Sequence, residues 1–386
     1  MRVAIVSGYP LGESRSGSVT HVEKLAQHLS AIDGMEVHVI TLGRKSEQLM
    51  RGRVAVHVLR GVGSVMPFLF PITLRSMKRT VEGLNPDVVH ALRGFRFTAV
   101  AALLRNRYPA PITIFSVERM ESRFDSNPLR VFRRLLISIP NEKYVIPRAS
   151  HVIVQSRFTE GIIRRWTKAE THLVPEGVEY ERIQRVRLPD PPDGEPDIFI
   201  AVNFRRLKGL DILIKAVAIA KETVPDIRLD IGGSGEEEDA LRDLVGALGL
   251  ESNVRFLGFI ADEEAKYQQY KSCKLVVVPS RWDVEPAATL DGAASGKPVI
   301  ASKSSNSSLV LHGKTGFVYD TEDVEMLARR IVELLTDDRL REQMGNAARE
   351  KAREYDWSKI AQKTVEVYRA AISDFNGRKA SVRGDQ

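Results

Sequence analysis

Short apolar runs alternate with helical stretches along the chain, and this alternation restricts the fold more than any other feature of the sequence. The first series of runs is VAIVS, EVHVIT, VAVHVL, DVVHAL, ITIFS, HVIVQS and THLVP, and the second is DIFIAVN, IRLDIGG, NVRFLGF and KLVVVPS. Strand-like runs separated by helices are typical of a parallel sheet with helices on its faces. Because the polar, proline-rich stretch LPDPPDGEPD separates the two series, the sequence predicts two α/β domains joined by a linker.

The length of 386 residues also favours two domains, since one domain usually has about 100–200 residues. The final stretch WSKIAQKTVEVYRAAISDF has an apolar helical face, so we expect it to pack as a helix. The predicted segments are an N-terminal domain at 1–187, a linker at 188–197, a second domain at 198–356, a C-terminal helix at 357–375 that returns to the first domain, and a polar tail at 376–386.

The net charge of +7 is distributed unevenly. Residues 1–190 carry 29 Lys and Arg against 17 Asp and Glu, which gives +12, whereas the rest of the chain has 28 against 33, which gives −5. A basic domain attracts anions such as membrane lipids, phosphorylated acceptors or nucleic acid. Ordinary surface charge is an equally good interpretation of this excess.

The segment AVNFRRLKGLDILIKA contains the first candidate site, where a strand ends at Asn203 and a helix begins near Gly209. Arg205, Arg206 and Lys208 lie in the connecting loop, and their charges together with backbone N–H groups suit a diphosphate. A basic surface loop without a ligand is the alternative.

The segment VVVPSRWDVEPAATLDGAASGKPVIAS contains the second candidate site, because a strand there leads through a loop into a helix near Pro286. The first turn of that helix offers backbone N–H groups to a phosphate. Three carboxylates bracket it and could accept hydrogen bonds from sugar or ribose hydroxyls, although capping the helix is their alternative role. The residues concerned are Ala287, Ala288 and Thr289 for the N–H groups and Asp283, Glu285 and Asp291 for the carboxylates.

The N-terminal stretch SGYPLGESRSGSVTHVEKLAQHL places a glycine-rich loop, which includes Gly17, between the first strand and the first helix. We expect this loop to approach a phosphate or an acceptor, and we expect His21 and His90 to face the ligand from the first domain. A structural role is the commoner one for histidines so placed. The sequence contains no cysteine or histidine spacing typical of a metal site, no P-loop and no G-x-S-x-G motif.

The order and spacing of several motifs resemble the family-four retaining glycosyltransferases, which have the GT-B fold of two Rossmann-like domains facing each other across a cleft. These motifs include NPDVVHAL, VPEGVEYERI, KGLDILIKA, NVRFLGF, LDGAASGKPVIAS and HGKTGF. The resemblance implies that the α/β chain is a hexosyltransferase that uses a nucleotide-diphosphate sugar, with no cofactor and no metal.

The resemblance also implies roles for individual residues. The lysine that binds the donor diphosphate in the family matches Lys208, and the arginine five residues earlier is Asn203 here, so Arg205 is our candidate replacement and Arg206 the reserve. The two family glutamates eight residues apart match Asp283 and Asp291, whereas a second alignment uses Glu285 as the first acid. Catalytic candidates are thus Arg205, Lys208, Asp283 and Glu285; donor-binding candidates are Gly17, Asn203, Ala287, Ala288, Thr289 and Asp291; acceptor-side or sugar-side candidates are His21 and His90.

The function predicted on this basis is transfer of a sugar, with retention, to a glycan or lipid-linked acceptor in the synthesis of cell-surface polysaccharide or glycoconjugate. Since no run of about 18 apolar residues is present, we expect a cytoplasmic protein. Basic amphipathic stretches such as LRVFRRLLISIPNEKYVIPR suit the inner face of an anionic membrane. The alternatives are a nucleotide-sugar epimerase, a non-catalytic nucleotide-sugar-binding protein with altered motifs and a nucleic-acid binder, the last of which lacks a known docking motif.

Overall fold

The computed structural model describes residues 1–7, 17–61, 70–92, 95–114, 118–125, 127–188 and 195–384. The chain divides into two compact units, which we describe separately. Unit 1 comprises Met1–Pro175 and Trp357–Gln386, and unit 2 comprises Glu176–Asp356. The glycine-rich loop before Gly17 and residues 189–194 of the expected linker lie outside the described residues.

Unit 1 contains an eight-stranded sheet in the described part of the chain, with the order β3-β4-β2-β1-β5-β6-β7-β8. All neighbouring strands are parallel except β3 and β4. The strands are β1 (Arg2–Ser7), β2 (Glu36–Gly43), β3 (Glu47–Arg51), β4 (Val54–Arg60), β5 (Val88–Leu92), β6 (Ile112–Ile114), β7 (His151–Val154) and β8 (Glu170–Leu173). Seven of them coincide with the apolar runs, whereas β3 was missed because it is a polar edge strand.

The helices of unit 1 cover both faces of this sheet. They are α1 (Gly17–Ser30), α2 (Phe70–Leu84), α3 (Phe95–Leu104), α4 (Glu118–Glu121), α5 (Pro128–Pro140), α6 (Arg157–Ile163) and the C-terminal helix, which we call α14 (Trp357–Gly384). On one face α1 and α14 enclose a core with alternate side chains of the central strands, and on the other face α2 and α3 do so. No helix in the described residues is long and apolar enough to cross a membrane.

Unit 2 contains a fully parallel six-stranded sheet with the order β11-β10-β9-β12-β13-β14 among its described strands. These strands are β9 (Ile198–Ala201), β10 (Leu229–Gly232), β11 (Val254–Gly258), β12 (Leu275–Val278), β13 (Val299–Ser302) and β14 (Gly316–Tyr319). The helices are α7 (Tyr180–Arg185), α8 (Leu210–Ala220), α9 (Glu238–Ala247), α10 (Glu263–Ser272), α11 (Ala287–Ala294), α12 (Val324–Thr336) and α13 (Asp338–Ala352). The doubled α/β architecture expected from the sequence is therefore confirmed.

The boundaries of the units differ from the expected segments in two places. Residues 176–187, which we assigned to the first domain, belong to unit 2, because Tyr180 and Ile183 of α7 are buried in the core of that unit. The expected polar tail from residue 376 is helical as far as Gly384, since NGRKASVRG contains no proline and a helix that is already formed extends at little cost. Trp357 and Tyr368 of the same helix are buried in the core of unit 1.

His90 is fully buried in the middle of β5, which contradicts the expectation that it faces a ligand. Its Nδ1 lies 2.7 Å from the hydroxyl of Tyr368 on α14, and its Nε2 lies 2.6 Å from Oγ1 of Thr113 on β6. Burial lowers the pKa of His90 to about 3. The side chain therefore connects the sheet to the C-terminal helix as a neutral imidazole.

This burial predicts a pH dependence of stability. The unfolded chain binds a proton at position 90 below its ordinary pKa of about 6.5, whereas the folded chain does so only near pH 3. Stability from His90 is thus present above pH 6.5 and lost as the pH falls. Between pH 7.5 and 5.5 we expect this residue to contribute about 1.4 kcal/mol to the decrease in the free energy of unfolding.

Urea unfolding of wild type and His90→Gln at both pH values tests this prediction. The decrease in the free energy of unfolding between the two pH values should be smaller in the variant by that amount, whatever the absolute stability of the variant is. Equal decreases in the two proteins would contradict it.

Candidate functional site

The strand order of unit 2 reverses between β9 and β12, which are neighbours in the sheet although two strands separate them in the chain. Ligands of open parallel sheets bind at such a reversal, beyond the carboxyl ends of the strands, because the following connections leave toward opposite faces. Two loops begin there: the β9 loop, residues 202–209, and the β12 loop, residues 279–286. Both candidate segments from the sequence map to these loops.

The β9 loop ends at Gly209, where the backbones of the two loops lie close together. This residue has a φ of 67°, and a Cβ atom added to it would lie 2.1 Å from the carbonyl oxygen of Pro279. A glycine is therefore required both by the left-handed backbone and by the contact between the loops. The contact places the start of α8 directly against the start of the β12 loop.

Arg281 ties the two loops together with its backbone and its side chain. Its N–H donates to the carbonyl oxygen of Leu207 at 2.8 Å, and Nη1 donates to the carbonyl oxygen of Arg206 at 2.9 Å. The guanidinium also donates to both carboxylate oxygens of Asp211, at 2.7 and 2.8 Å, and to Glu322 at 2.6 Å. These carboxylates raise the pKa of Arg281 above its ordinary range. A bidentate, charge-assisted pair of this kind fixes geometry as well as adding stability.

Lys208 and Asp283, one from each loop, form an ion pair. Both side chains are less than one-fifth exposed. The backbone of Asp283 is fixed by hydrogen bonds that join its N–H to the carbonyl oxygen of Ser304 at 3.0 Å and its carbonyl oxygen to Nδ2 of Asn306 at 2.7 Å. Two residues that the sequence analysis named independently are thus in contact, and the ammonium group is held at the strand reversal.

Helix α11 begins immediately after the β12 loop. Its N-cap is Pro286, and no side chain caps the helix. Ala287 is exposed, whereas Ala288 and Thr289 are buried, and the Thr289 hydroxyl donates to the Pro286 carbonyl oxygen at 2.6 Å. An uncapped helix N-terminus presents backbone N–H groups and the positive end of the helix dipole, which together favour an anion.

Glu285 is buried in the protein, with 6% of its surface exposed. Its carboxylate accepts hydrogen bonds from the hydroxyls of Ser307 at 2.9 Å and Ser308 at 2.6 Å, and from the Ser308 N–H at 3.1 Å. Burial raises the pKa of Glu285 to about 7, although the hydrogen bonds from Ser308 and Ser307 act in the opposite direction. Of the two candidate first acids, Asp283 is therefore the one beside the lysine.

Asp291 lies one turn into α11 and is mostly buried. One of its oxygens accepts a hydrogen bond from the ammonium group of Lys266 on α10 at 2.8 Å. In the β9 loop, Asn203 is exposed and Arg205 is half-buried. The turn after β10 packs on this loop, where Gly233, with a φ of 132°, leaves no room for a Cβ beside Val202.

Unit 1 contains the remaining candidates. Gly17 is the first residue of α1. His21 is 4% exposed, and its ring packs edge-on against Trp357 with the centroids 5.0 Å apart. His21, like His90, is therefore buried inside unit 1, where it packs against the C-terminal helix.

The structure resembles solved glycosyltransferases over almost its whole length. It matches a sucrose-phosphate synthase from Thermosynechococcus elongatus with a TM-score of 0.81 and 24% identity, covering 97% of this chain and 99% of that one. It also matches Anabaena HepE, solved in complex with UDP-glucose, with a TM-score of 0.70 and 20% identity, covering 96% and 100% of the two chains. The fold is thus that of the GT-B glycosyltransferases.

Family models match both halves of the chain: residues 15–182 match Glycosyltransferase Family 4, and residues 185–351 match Glycosyl transferases group 1. A D-inositol 3-phosphate glycosyltransferase from Corynebacterium aurimucosum is 25% identical over 98% of this chain and 99% of its own. An uncharacterised glycosyltransferase from Methanocaldococcus jannaschii is 32% identical, but the alignment spans less than half of either chain. The chain belongs to the group 1 glycosyltransferases.

The sequence analysis missed the residues that position the site. Arg281 lies in the second candidate segment and Gly209 follows Lys208 directly, but neither was assigned a role. Ser307 and Ser308, which hold Glu285, were assigned no role either. Their roles depend on contacts between segments far apart in the chain, which local spacing does not reveal.

We predict that Gly209→Ala separates the two loops. Alanine at this position adds the strain of a left-handed backbone, about 1–2 kcal/mol, and a steric overlap with Pro279 that costs about 1–3 kcal/mol more. The free energy of unfolding should decrease by the sum of these effects, and any ligand held by both loops should bind more weakly. Urea unfolding and ligand titration measure the two effects.

Gly249→Ala is the matched control, because Gly249 has a φ of 62° and nothing lies within 4 Å of the position that a Cβ would take. The free energy of unfolding of this variant should decrease by the backbone strain alone. If the two variants are equally destabilised, the close approach of the loops does not constrain the site.

Proposed function

We propose that this glycosyltransferase transfers a hexose, with retention of the anomeric configuration, from a nucleotide-diphosphate sugar to a glycan or lipid-linked acceptor. We place this reaction in the synthesis of cell-surface polysaccharide or glycoconjugate. The observation that carries the proposal is the Lys208–Asp283 pair at the strand reversal, next to the uncapped N-terminus of α11. Family membership and the fold are consistent with it.

In this proposal the donor diphosphate lies against the β9 loop and α11. As the bond between the sugar and the diphosphate breaks, negative charge accumulates on the leaving oxygen. Lys208, Arg205 and the N–H groups of Ala287 and Ala288 would stabilise that charge, and the ion pair with Asp283 would keep the lysine in position. Since these groups supply the positive charge, we propose that no divalent cation is needed for the transfer.

The environments of Asp283 and Glu285 favour a mechanism in which the acceptor attacks the anomeric carbon from the same face that the diphosphate leaves. Asp283 is neutralised by Lys208, and Glu285 is buried against Ser307 and Ser308, so both are poorly placed as covalent nucleophiles. The acceptor oxygen would form its bond to the anomeric carbon as the bond to the diphosphate breaks, and the acceptor proton would pass to the diphosphate oxygen. Asn203, Thr289 and Asp291 complete the proposed donor site, with Asp291 accepting from a ribose hydroxyl.

Removal of the Lys208 charge tests the donor site. We expect Lys208→Met to lose the thermal stabilisation that one of UDP, GDP or ADP gives to wild type, and to lower kcat/KM for the corresponding sugar nucleotide about 10²–10³-fold. The matched control is Lys314→Met, because Lys314 is exposed and precedes β14, at the opposite edge of the sheet from the two loops.

The products of the same transfer assay identify the type of reaction. NMR of the product should show the anomeric configuration of the donor, and turnover should persist in EDTA. Binding of a nucleotide without transfer to any of a panel of sugar and lipid acceptors would favour a non-catalytic protein, and inversion would exclude the retaining mechanism.

A surface for a membrane-embedded acceptor is the second part of the proposal, and α5 in unit 1 supports it. Leu129, Phe132, Leu136 and Ile139 are 79%, 61%, 57% and 40% exposed, and their spacing places them on one face of the helix. The helix contains three arginines and no acidic residue. An exposed apolar stripe in a basic helix suits the interface of an anionic membrane.

We expect the double substitution Phe132→Glu and Leu136→Glu to abolish binding to vesicles that contain phosphatidylglycerol. Each lost apolar contact should weaken binding about 10–150-fold, because burial of such a side chain contributes about 1.5–3 kcal/mol. Met50→Glu is the control, since Met50 is 65% exposed on β3, away from α5. Sedimentation of all three proteins to the same extent, or of none, would remove α5 as the membrane surface.

A further inference from the structure

Two histidines and a glutamate converge at the edge of the unit 1 sheet, outside the proposed donor site. The parallel strands β7 and β8 pair His151 with Glu170 and Ile153 with His172, so the two imidazoles lie on the same face. Nδ1 of His151 is 2.9 Å from Nε2 of His172. Oxygens of the Glu170 carboxylate lie 3.8 Å from each of these nitrogens.

We propose that His151, His172 and Glu170 form a binding site for a divalent transition-metal ion of the zinc type. Zinc binds imidazole nitrogen and carboxylate oxygen at about 2.0–2.2 Å, so neighbouring ligand atoms in a tetrahedral site are about 3.4 Å apart. The distance of 2.9 Å between the two nitrogens is shorter than this value, and the distances of 3.8 Å from the nitrogens to the Glu170 oxygens are longer. Glu170 is 61% exposed at the side chain, which leaves solvent access for a fourth ligand.

Asp374 on α14 orients the first of these ligands. Its Oδ2 lies 3.3 Å from Nε2 of His151, the nitrogen on the opposite side of the ring from the proposed metal. In the described structure this Nε2 is buried and makes no well-aligned hydrogen bond, so the nearby carboxylate is its electrostatic partner. A carboxylate beside the distal nitrogen favours the tautomer with the proton there and leaves Nδ1 free to bind metal.

A bound ion would also join the edge strand β8 to β7 through side chains, in addition to the backbone ladder between the two strands.

A second histidine pair in unit 1 provides a matched comparison. Nδ1 of His38 lies 3.0 Å from Nε2 of His57, almost the same distance as in the first pair. The carboxylate there, Glu36, contacts the other nitrogen of His38 at 2.9 Å. Among the residues that the structure describes, no third ligand lies between the rings of His38 and His57, so this pair is expected to be a simple hydrogen bond between imidazoles.

The test is a zinc titration of the untagged, chelator-treated full chain. We expect one equivalent of Zn²⁺ to bind to wild type and, at saturation, to raise the melting temperature by about 5 °C. His172→Gln and Glu170→Gln should lose most of that rise, and His38→Gln should keep it. Asp374→Asn should weaken zinc binding about tenfold while leaving the metal-free melting temperature unchanged.

X-ray absorption at the zinc edge of the loaded wild type should show two imidazole nitrogens and oxygen ligands. No zinc-dependent stabilisation of wild type, or equal losses in His38→Gln and His172→Gln, would overturn the proposal. If His172→Gln lowers the metal-free stability, Glu170→Gln decides the matter, because the exposed Glu170 makes no contact on which the core depends.

Discussion

The positions of Lys208 and Asp283 depend on the contact between the β9 and β12 loops. Parallel strands only bring the two loops to the same edge of the sheet, and the contacts of Gly209 and Arg281 fix their separation. The glycine allows one backbone to touch the other, and the arginine joins the β12 loop to two carbonyl groups of the β9 loop. Lys208 and Asp283 are consequently paired, and α11 begins four residues after Asp283, at Ala287.

The C-terminal helix determines the surroundings of three histidines in unit 1. Helix α14 covers one face of the sheet, and the histidines beneath it are held by partners on that helix: Tyr368 for His90, Trp357 for His21 and Asp374 for His151. A histidine near the end of a strand resembles a ligand-binding residue in sequence. The helix that buries it lies more than 200 residues later in the chain, so the sequence near the histidine does not reveal its burial.

The parts of the structure that could be predicted from sequence are those encoded by local pattern. Apolar runs identified the parallel strands, and the strand-to-helix loops identified Lys208, Asp283 and α11. The polar edge strand β3 has no apolar run, and the domain boundary was placed at the prolines although the α7 segment before them packs into unit 2. The segment from residue 376 to Gly384 contains few apolar residues, so its helical structure was not predicted either. In each case a tertiary contact or helix propagation decides the structure where composition does not.

Glu285 shows how residues far apart in the sequence complete one another in the folded protein. In the sequence it lies two residues after Asp283, and no role was assigned to the serines at 307 and 308. In the structure Ser307 and Ser308 donate to Glu285, and the Ser308 hydroxyl also lies 2.9 Å from the hydroxyl of Tyr355. Without these two hydroxyls the carboxylate, which is 6% exposed, would keep only the Ser308 N–H as its donor among these contacts, at a cost of about 1–3 kcal/mol. The serines and Glu285 therefore form one structural unit behind α11, which leaves Asp283 free to hold Lys208.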